Sequence, residues 1–183
     1  SRSVAEHMLT GLMAVCRRLP TYLDSQRAHV WKDEGPMKTI LGGTVLVIGA
    51  GHVGADFARL CQGLGARTIG LKRRIAGPIG GFDEVRTMDE LDQLLPQADV
   101  VALTLPHSPQ TVGLMNESRI ALMKDGAVLI SAGRGTVLDQ DALVKVMQAG
   151  KLWGAALDVT DPEPLPPDSP LWDVPNLLLT PHV

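Results

Sequence analysis

Three glycines stand in the run Gly49-Ala50-Gly51-His52-Val53-Gly54. A Gly-x-Gly-x-x-Gly run handles phosphate when a buried strand precedes it and an amphipathic helix follows it. The strand is read in Thr44-Val45-Leu46-Val47-Ile48, a continuous apolar run of the kind buried on both faces. The helix is read in Val53, Phe57, Leu60, Cys61 and Leu64, which recur at helical spacing until Gly65 can end it. In that setting Gly49 permits the tight turn, Gly51 lets a pyrophosphate approach the backbone, and Gly54 lets helix and strand pack closely. The first helical amides, at His52 and Val53, and the positive end of the helix dipole face the phosphates. The chemistry implied is dinucleotide binding.

The second strand of such a unit carries, about 20 residues further on, the group that meets the adenosine ribose. An acidic residue there binds a free 2′-hydroxyl. This chain has Lys72-Arg73-Arg74 instead. Cationic side chains bind a 2′-phosphate through charge-assisted hydrogen bonds, where a carboxylate would repel it. The expectation is therefore NADP as the preferred cofactor, with NAD possible.

The elements that must position these residues alternate. Arg67 to Leu71, Val100 to Thr104, Ala127 to Ser131, Gly154 to Leu157 and Leu177 to Leu179 read as further strands. Helices are expected from Thr87, which with Glu90 looks like a capping box, through Leu95; over Ser118 to Met123; and from the cap Asp139 to about Ala149. Pro162 to Pro170 is proline-rich and must be a loop. Ahead of the first strand, Ser3 and Glu6 read as a capping box. The helix they open has an apolar stripe from Met8 to Leu19 and ends at Pro20, with a polar surface stretch from Asp24 to Lys38 beyond. Strand–helix alternation of this kind implies an α/β fold with a doubly wound parallel sheet, the Rossmann arrangement.

Bulk properties narrow the function classes. The 183 residues are 45% hydrophobic and 20% charged, with a net charge of −3, which gives no reason to expect nucleic acid or membrane as partner. No apolar run reaches the roughly 18 residues of a membrane span, and the first residues do not read as a signal peptide. Cys16 and Cys61 lie in helical apolar patterns without metal-ligand spacing, so two free core thiols and a cytoplasmic setting are expected, and no metal. A short-chain dehydrogenase is excluded, because the one tyrosine, Tyr22, has Gln26 where that class needs lysine.

From end to end the chain resembles the cofactor domain of the D-isomer-specific 2-hydroxyacid dehydrogenases, among them hydroxypyruvate/glyoxylate reductases and phosphoglycerate dehydrogenase. The resemblance runs from Ser3-Val4-Ala5-Glu6-His7 to Thr180-Pro181-His182. It is carried most specifically by Gly133-Arg134-Gly135-Thr136-Val137-Leu138-Asp139, Gly154-Ala155-Ala156-Leu157-Asp158-Val159 and Asp161-Pro162-Glu163-Pro164-Leu165. Singly, Arg134 would read as a surface charge, Glu163 as a solvated carboxylate and His182 as incidental. Their joint occurrence in these motifs implies otherwise. By resemblance, Arg134 holds a substrate carboxylate and carbonyl, His182 exchanges a proton with the substrate oxygen, and Glu163 favours the protonated imidazole. Asp158 matches the residue that bonds the nicotinamide carboxamide. Leu105, Pro106 and Thr111 match the loop under the adenosine, and Ala132 and Gly133 the backbone beside the nicotinamide ribose.

The match is not complete. His52 replaces the usual Arg, Ser131-Ala132-Gly133 replaces Asn-Thr-Ala, and Thr160-Asp161 replaces Phe-Glu. The resemblance implies a small 2-oxo or 2-hydroxy acid as substrate and a homodimer formed partly by the first helix. It also implies that residues 1–183 are a single dinucleotide-binding domain with an interdomain helix at about 3–19, lacking the family's substrate domain. Such a chain is expected to bind dinucleotide and to turn over poorly alone. The competing expectation is a non-catalytic dinucleotide sensor, since corepressors share the fold.

Overall fold

Every strand of the central sheet runs the same way. The computed structural model describes residues 1–75, 77 and 79–183. In chain order the strands are β1 (Thr44–Ile48), β2 (Arg67–Lys72), β3 (Glu84–Thr87), β4 (Val100–Leu103), β5 (Val128–Ser131), β6 (Gly154–Leu157) and β7 (Leu177–Leu179). They pair in parallel in the order β3-β2-β1-β4-β5-β6-β7. The order reverses between β1 and β4, which is the switch point of a doubly wound sheet, as the alternation predicts.

Helices cover both faces: α1 (Arg2–Cys16), α2 (Leu19–Arg27), α3 (His52–Gly63), α4 (Leu91–Leu94), α5 (Glu117–Leu122) and α6 (Gln140–Gln148). Period-2 alternation splits the strand side chains between two cores. Val45, Val47, Val100, Ala102, Val128 and Ile130 pack with Met8, Leu12 and Val15 of α1 and Phe57 of α3. Leu46, Ile48, Val101, Leu103 and Leu129 face Leu91, Ile120 and Leu143 from the opposite layer. Both cysteines are free and buried, and burial pushes the Cys16 thiol up to about 11 and that of Cys61 to about 12.

Several sequence expectations need correction. The Ser3–Glu6 capping box does not form. Ser1 stands at the N-cap of α1 and its hydroxyl donates to Asp56, while Glu6 pairs with Arg2. Pro20 does not end the first helix. Arg18, at φ +57°, breaks the chain, and Pro20 lies in the first turn of a second helix, where its missing N–H costs nothing. The first four residues of the expected polar surface stretch, Asp24 to Arg27, thus belong to α2. Thr87 makes no capping bond to the backbone; a short 3₁₀ turn precedes α4. Strand β3 is absent from the sequence expectations, because Glu-Val-Arg-Thr at a half-exposed sheet edge carries no apolar signature.

α1 sits tightly on β6. A Cβ at Gly11 would lie 2.9 Å from that of Ala156. The Trp153 indole N–H and the Asn176 amide both donate to the Val15 carbonyl, satisfying the end of the helix, and the Arg18 guanidinium lies 4.1 Å over the Trp153 ring.

Candidate functional site

Because the sheet is parallel, the C-terminal ends of all its strands open on one edge. Nearly every residue singled out from sequence lies just past such an end: Gly49 after β1, Lys72-Arg73-Arg74 at the end of β2, Leu105 after β4, Ala132 after β5, Asp158 after β6 and His182 after β7. Ligands of open α/β sheets bind in the crevice at this edge.

The glycine turn has the geometry its sequence implies. Gly49 adopts φ +114°, and a Cβ there would come within 2.7 Å of the Thr104 hydroxyl. At Gly54 a Cβ would lie 2.5 Å from the Gly49 carbonyl oxygen and 2.9 Å from Val47 Cγ1, so α3 rests directly on β1. Gly51 is the opposite case. Its Cβ would meet nothing within 4 Å, which is open room in front of the helix. Among the described residues no side chain caps α3, and the first bond back to the turn is from the Ala55 N–H to the Gly51 carbonyl. The amides of His52, Val53 and Gly54 donate, among the described residues, to no side chain or loop carbonyl. Lys72, Arg73 and Arg74 are exposed, and among the described residues none of them forms an ion pair.

Thr104, which sequence reasoning passed over, stitches this turn together. Its hydroxyl donates to the Gly49 carbonyl at 2.7 Å. Gly133 in turn presses on the Thr104–Leu105 backbone, where a Cβ would be 2.3 Å from the Leu105 carbonyl oxygen. The Thr111 hydroxyl donates to the Pro106 carbonyl at 2.6 Å and accepts from the Ser108 N–H, so it closes its own loop.

Glu163 and His182 come from separate loops and pair, and Arg134, from a third loop, lies near enough for its charge to act on Glu163. His182 Nδ1 lies 2.9 Å from Glu163 Oε2. A carboxylate cannot donate, so Nδ1 carries the hydrogen and Nε2 is left for other partners. The second Glu163 oxygen accepts from the Thr160 N–H at 3.1 Å. The bond to His182 first, then that from Thr160 and the Arg134 charge, hold the Glu163 carboxyl below the usual glutamate range. The Arg134 guanidinium donates to the Gly133 carbonyl at 2.9 Å.

What joins these loops is backbone packing invisible to a motif. Gly135 abuts Thr160–Asp161, leaving no room for a Cβ. The Gln140 side-chain amide clamps Asp161 from both sides, donating to its carbonyl at 3.0 Å and accepting from its N–H at 2.7 Å. Nothing in the sequence distinguishes Gln140 beyond its place after the cap Asp139. A cleft of about 570 Å³ lies beside the pair, lined by Asp158, Thr160, Glu163, Trp172, Thr180 and His182. Asp158 is buried, and its carboxylate accepts from the Thr180 hydroxyl at 2.7 Å and the Val183 N–H at 3.1 Å. A wider groove of about 750 Å³ lies between α2 and the loop after it and contains none of these residues.

A glycine turn at the switch point, an uncapped helix start and a polar cluster along the same edge define a dinucleotide-binding domain of the Rossmann type. Residues 9–183 match the model of the D-isomer-specific 2-hydroxyacid dehydrogenase NAD-binding domain, and the chain belongs to that family. It is 38% identical over 188 residues to D-3-phosphoglycerate dehydrogenase of Haemophilus influenzae, covering all of this chain and 45% of that protein. Among solved structures it is similar to phosphoglycerate dehydrogenase from Lactobacillus plantarum (TM-score 0.90, 32% identity, 98% of this chain and 58% of that one). It is also similar to a D-isomer-specific 2-hydroxyacid dehydrogenase from Xanthobacter autotrophicus in complex with NADPH and MES (TM-score 0.86, 34% identity, 98% and 56%). The chain thus spans about half the length of these relatives.

Proposed function

We propose that this domain supplies the cofactor half of a reductase that moves a hydride between NADPH and a small 2-oxo acid. The observation that carries the proposal is the His182–Glu163 pair beside Arg134, in loops that open on the same sheet edge as the glycine turn. The open face of Gly51 and the free α3 amides fit a pyrophosphate, and Lys72, Arg73 and Arg74 fit a ribose 2′-phosphate better than a free hydroxyl.

The nicotinamide cofactor, when bound, supplies the hydride. The protein does the rest. Arg134 offers a planar guanidinium fork to the substrate carboxylate and the polarised carbonyl. His182 gives a proton from Nε2 to the oxygen as it becomes a hydroxyl. Glu163, held ionised first by its bond to His182 and then by the Thr160 N–H and the Arg134 charge, keeps Nδ1–H in place. Acid–base help of this kind is worth about 10² to 10⁴ in rate.

His182 and Glu163 are 44% and 39% exposed, so this chain alone leaves water in the cleft, and efficient turnover needs cover from a second domain. The test is NADPH oxidation with hydroxypyruvate, by this chain and by a full-length protein containing it. Turnover confined to the longer protein supports the proposal. Brisk turnover by the isolated chain refutes the need for cover, and dinucleotide binding without turnover in either favours a sensor.

Dimerisation through the first two helices fits the surface. α2 has no buried residue, and Met13, Leu19, Leu23, Val30 and the fully exposed Trp31 are apolar side chains left exposed on and near it. A second copy of the chain is the proposed cover.

A further inference from the structure

We infer that His7 is a positioning residue that sets the Asp158 carboxylate for a primary carboxamide, acting through Thr180. The inference deepens the reading above and rests on it, since the carboxamide in question is that of the nicotinamide ring. His7 belongs to α1, far in sequence from the strand ends that build the site, and no motif assigns it a task.

The hydrogen bonds have only one consistent direction. Thr180 Oγ1 lies 2.7 Å from Asp158 Oδ1 and 2.9 Å from His7 Nε2. The carboxylate has no proton to give, so the single hydroxyl hydrogen of Thr180 points at Asp158. The Thr180 oxygen must then accept from His7, which fixes the hydrogen on Nε2. From there His7 also reaches Asp158 Oδ1 at 3.4 Å, and the Val183 N–H reaches the same oxygen at 3.1 Å. Oδ1 is therefore committed to the protein from three directions. Among the described residues Oδ2 accepts nothing, and it remains for a ligand N–H.

The position of this chain gives it consequence. Asp158 and Thr180 form a wall between two spaces. On one side is a small cavity of about 80 Å³ under α1, lined by His7, Thr10 and Ser131. The Ser131 hydroxyl there is buried and, among the described residues, without a partner. On the other side is the cleft of Glu163 and His182. Thr180 also bonds Leu157 through its N–H and lies two residues before His182. One imidazole thus braces both the carboxylate that would orient the ring and the strand end that carries the proton donor.

The test compares His7→Leu with His7→Gln in this chain, because the glutamine amide N–H₂ reaches about as far as the imidazole Nε2–H. Dissociation constants are measured for NADPH against 2′-phospho-ADP-ribose and for NADH against ADP-ribose, each pair differing only in nicotinamide. His7→Leu is expected to weaken NADPH or NADH about three- to tenfold, the loss of one oriented hydrogen bond, and to leave the ligands without nicotinamide within about twofold. His7→Gln should restore most of the loss. Thr180→Val, which cuts the relay with His7 in place, should reproduce the split and serves if His7→Leu unfolds. Equal weakening of both ligands in a pair, an unchanged NADPH affinity, or glutamine no better than leucine would overturn the role of His7. A wild-type chain that binds NADPH no more tightly than 2′-phospho-ADP-ribose would overturn the cofactor reading itself, and this inference with it.

Discussion

Alanine at Gly51 and at Gly54 should fail in opposite ways, which separates ligand approach from folding within one turn. At Gly51 a Cβ meets nothing within 4 Å and the backbone is extended, at φ −95° and ψ −160°. The only cost to the fold is a poorer N-cap, about 0.5–1 kcal/mol, or a fall of roughly 1–4 °C in Tm for a domain of this size. The methyl group instead occupies the space a pyrophosphate needs in front of the His52 and Val53 amides. Losing one or two charge-assisted hydrogen bonds, at about 1.5–3 kcal/mol each, weakens NADPH roughly 10- to 100-fold or more. At Gly54 the Cβ would sit 2.5 Å from the Gly49 carbonyl oxygen, and backbone does not yield as a flexible side chain does. Overpacking of this kind costs about 1–3 kcal/mol, offset by at most about 1 kcal/mol of helix propensity. A net loss of about 1–2 kcal/mol lowers Tm by roughly 2–8 °C. Thermal melts and isothermal titration with NADPH read both quantities. Gly51→Ala protein that binds NADPH within twofold of wild type would refute the placement of the phosphates.

Other outcomes follow from single contacts. Replacing Lys72, Arg73 and Arg74 together by alanine should weaken NADPH by about tenfold or more and leave NADH within twofold; equal effects on both would remove the basis for NADP preference. The Glu163 carboxyl, held low chiefly by His182, should stay ionised below the ordinary glutamate range. Its stabilising contribution is therefore complete above that range and lost as pH falls through the lowered value, and it is small because both partners are more than a third exposed. Carboxyl NMR titration of His182→Ala should show the Glu163 pKa moving back up, and no movement would contradict the pairing. Gln140→Ala removes both bonds to Asp161 and should lower kcat of the full-length enzyme several-fold with KM for NADPH unchanged. The Tm of this chain should fall by roughly 4–8 °C, for two hydrogen bonds at about 1 kcal/mol each. Trp31→Lys should shift light scattering from dimer to monomer if the α1–α2 face is covered by a second copy.

The parts of the fold that could be read directly were those with a local period. Thr44 to Gly54 announces strand, turn and helix within eleven positions, because each residue's environment there is set by near neighbours. Asp139 behaves as the cap expected, accepting from the Ala142 N–H. Strand β3 leaves no such pattern because edge position, rather than burial, sustains it. The break at Arg18 is hidden in the sequence because a single left-handed residue followed by Pro20 has the same pattern as a helix that stops.

By itself, then, the sequence determined the dinucleotide turn, the doubly wound layering and the identities of Arg134, Glu163 and His182 as a set worth bringing together. Only the tertiary structure decided that Nδ1 of His182 faces Glu163, that Gln140 and Gly135 lock the loop between them, and that His7 reaches Asp158 through Thr180. The physical reason is separation along the chain. A capping bond or an apolar stripe repeats over a few residues and leaves a pattern. A contact between a helix near the start of the chain and a strand end near its close leaves none until packing brings the two to the same edge of the sheet.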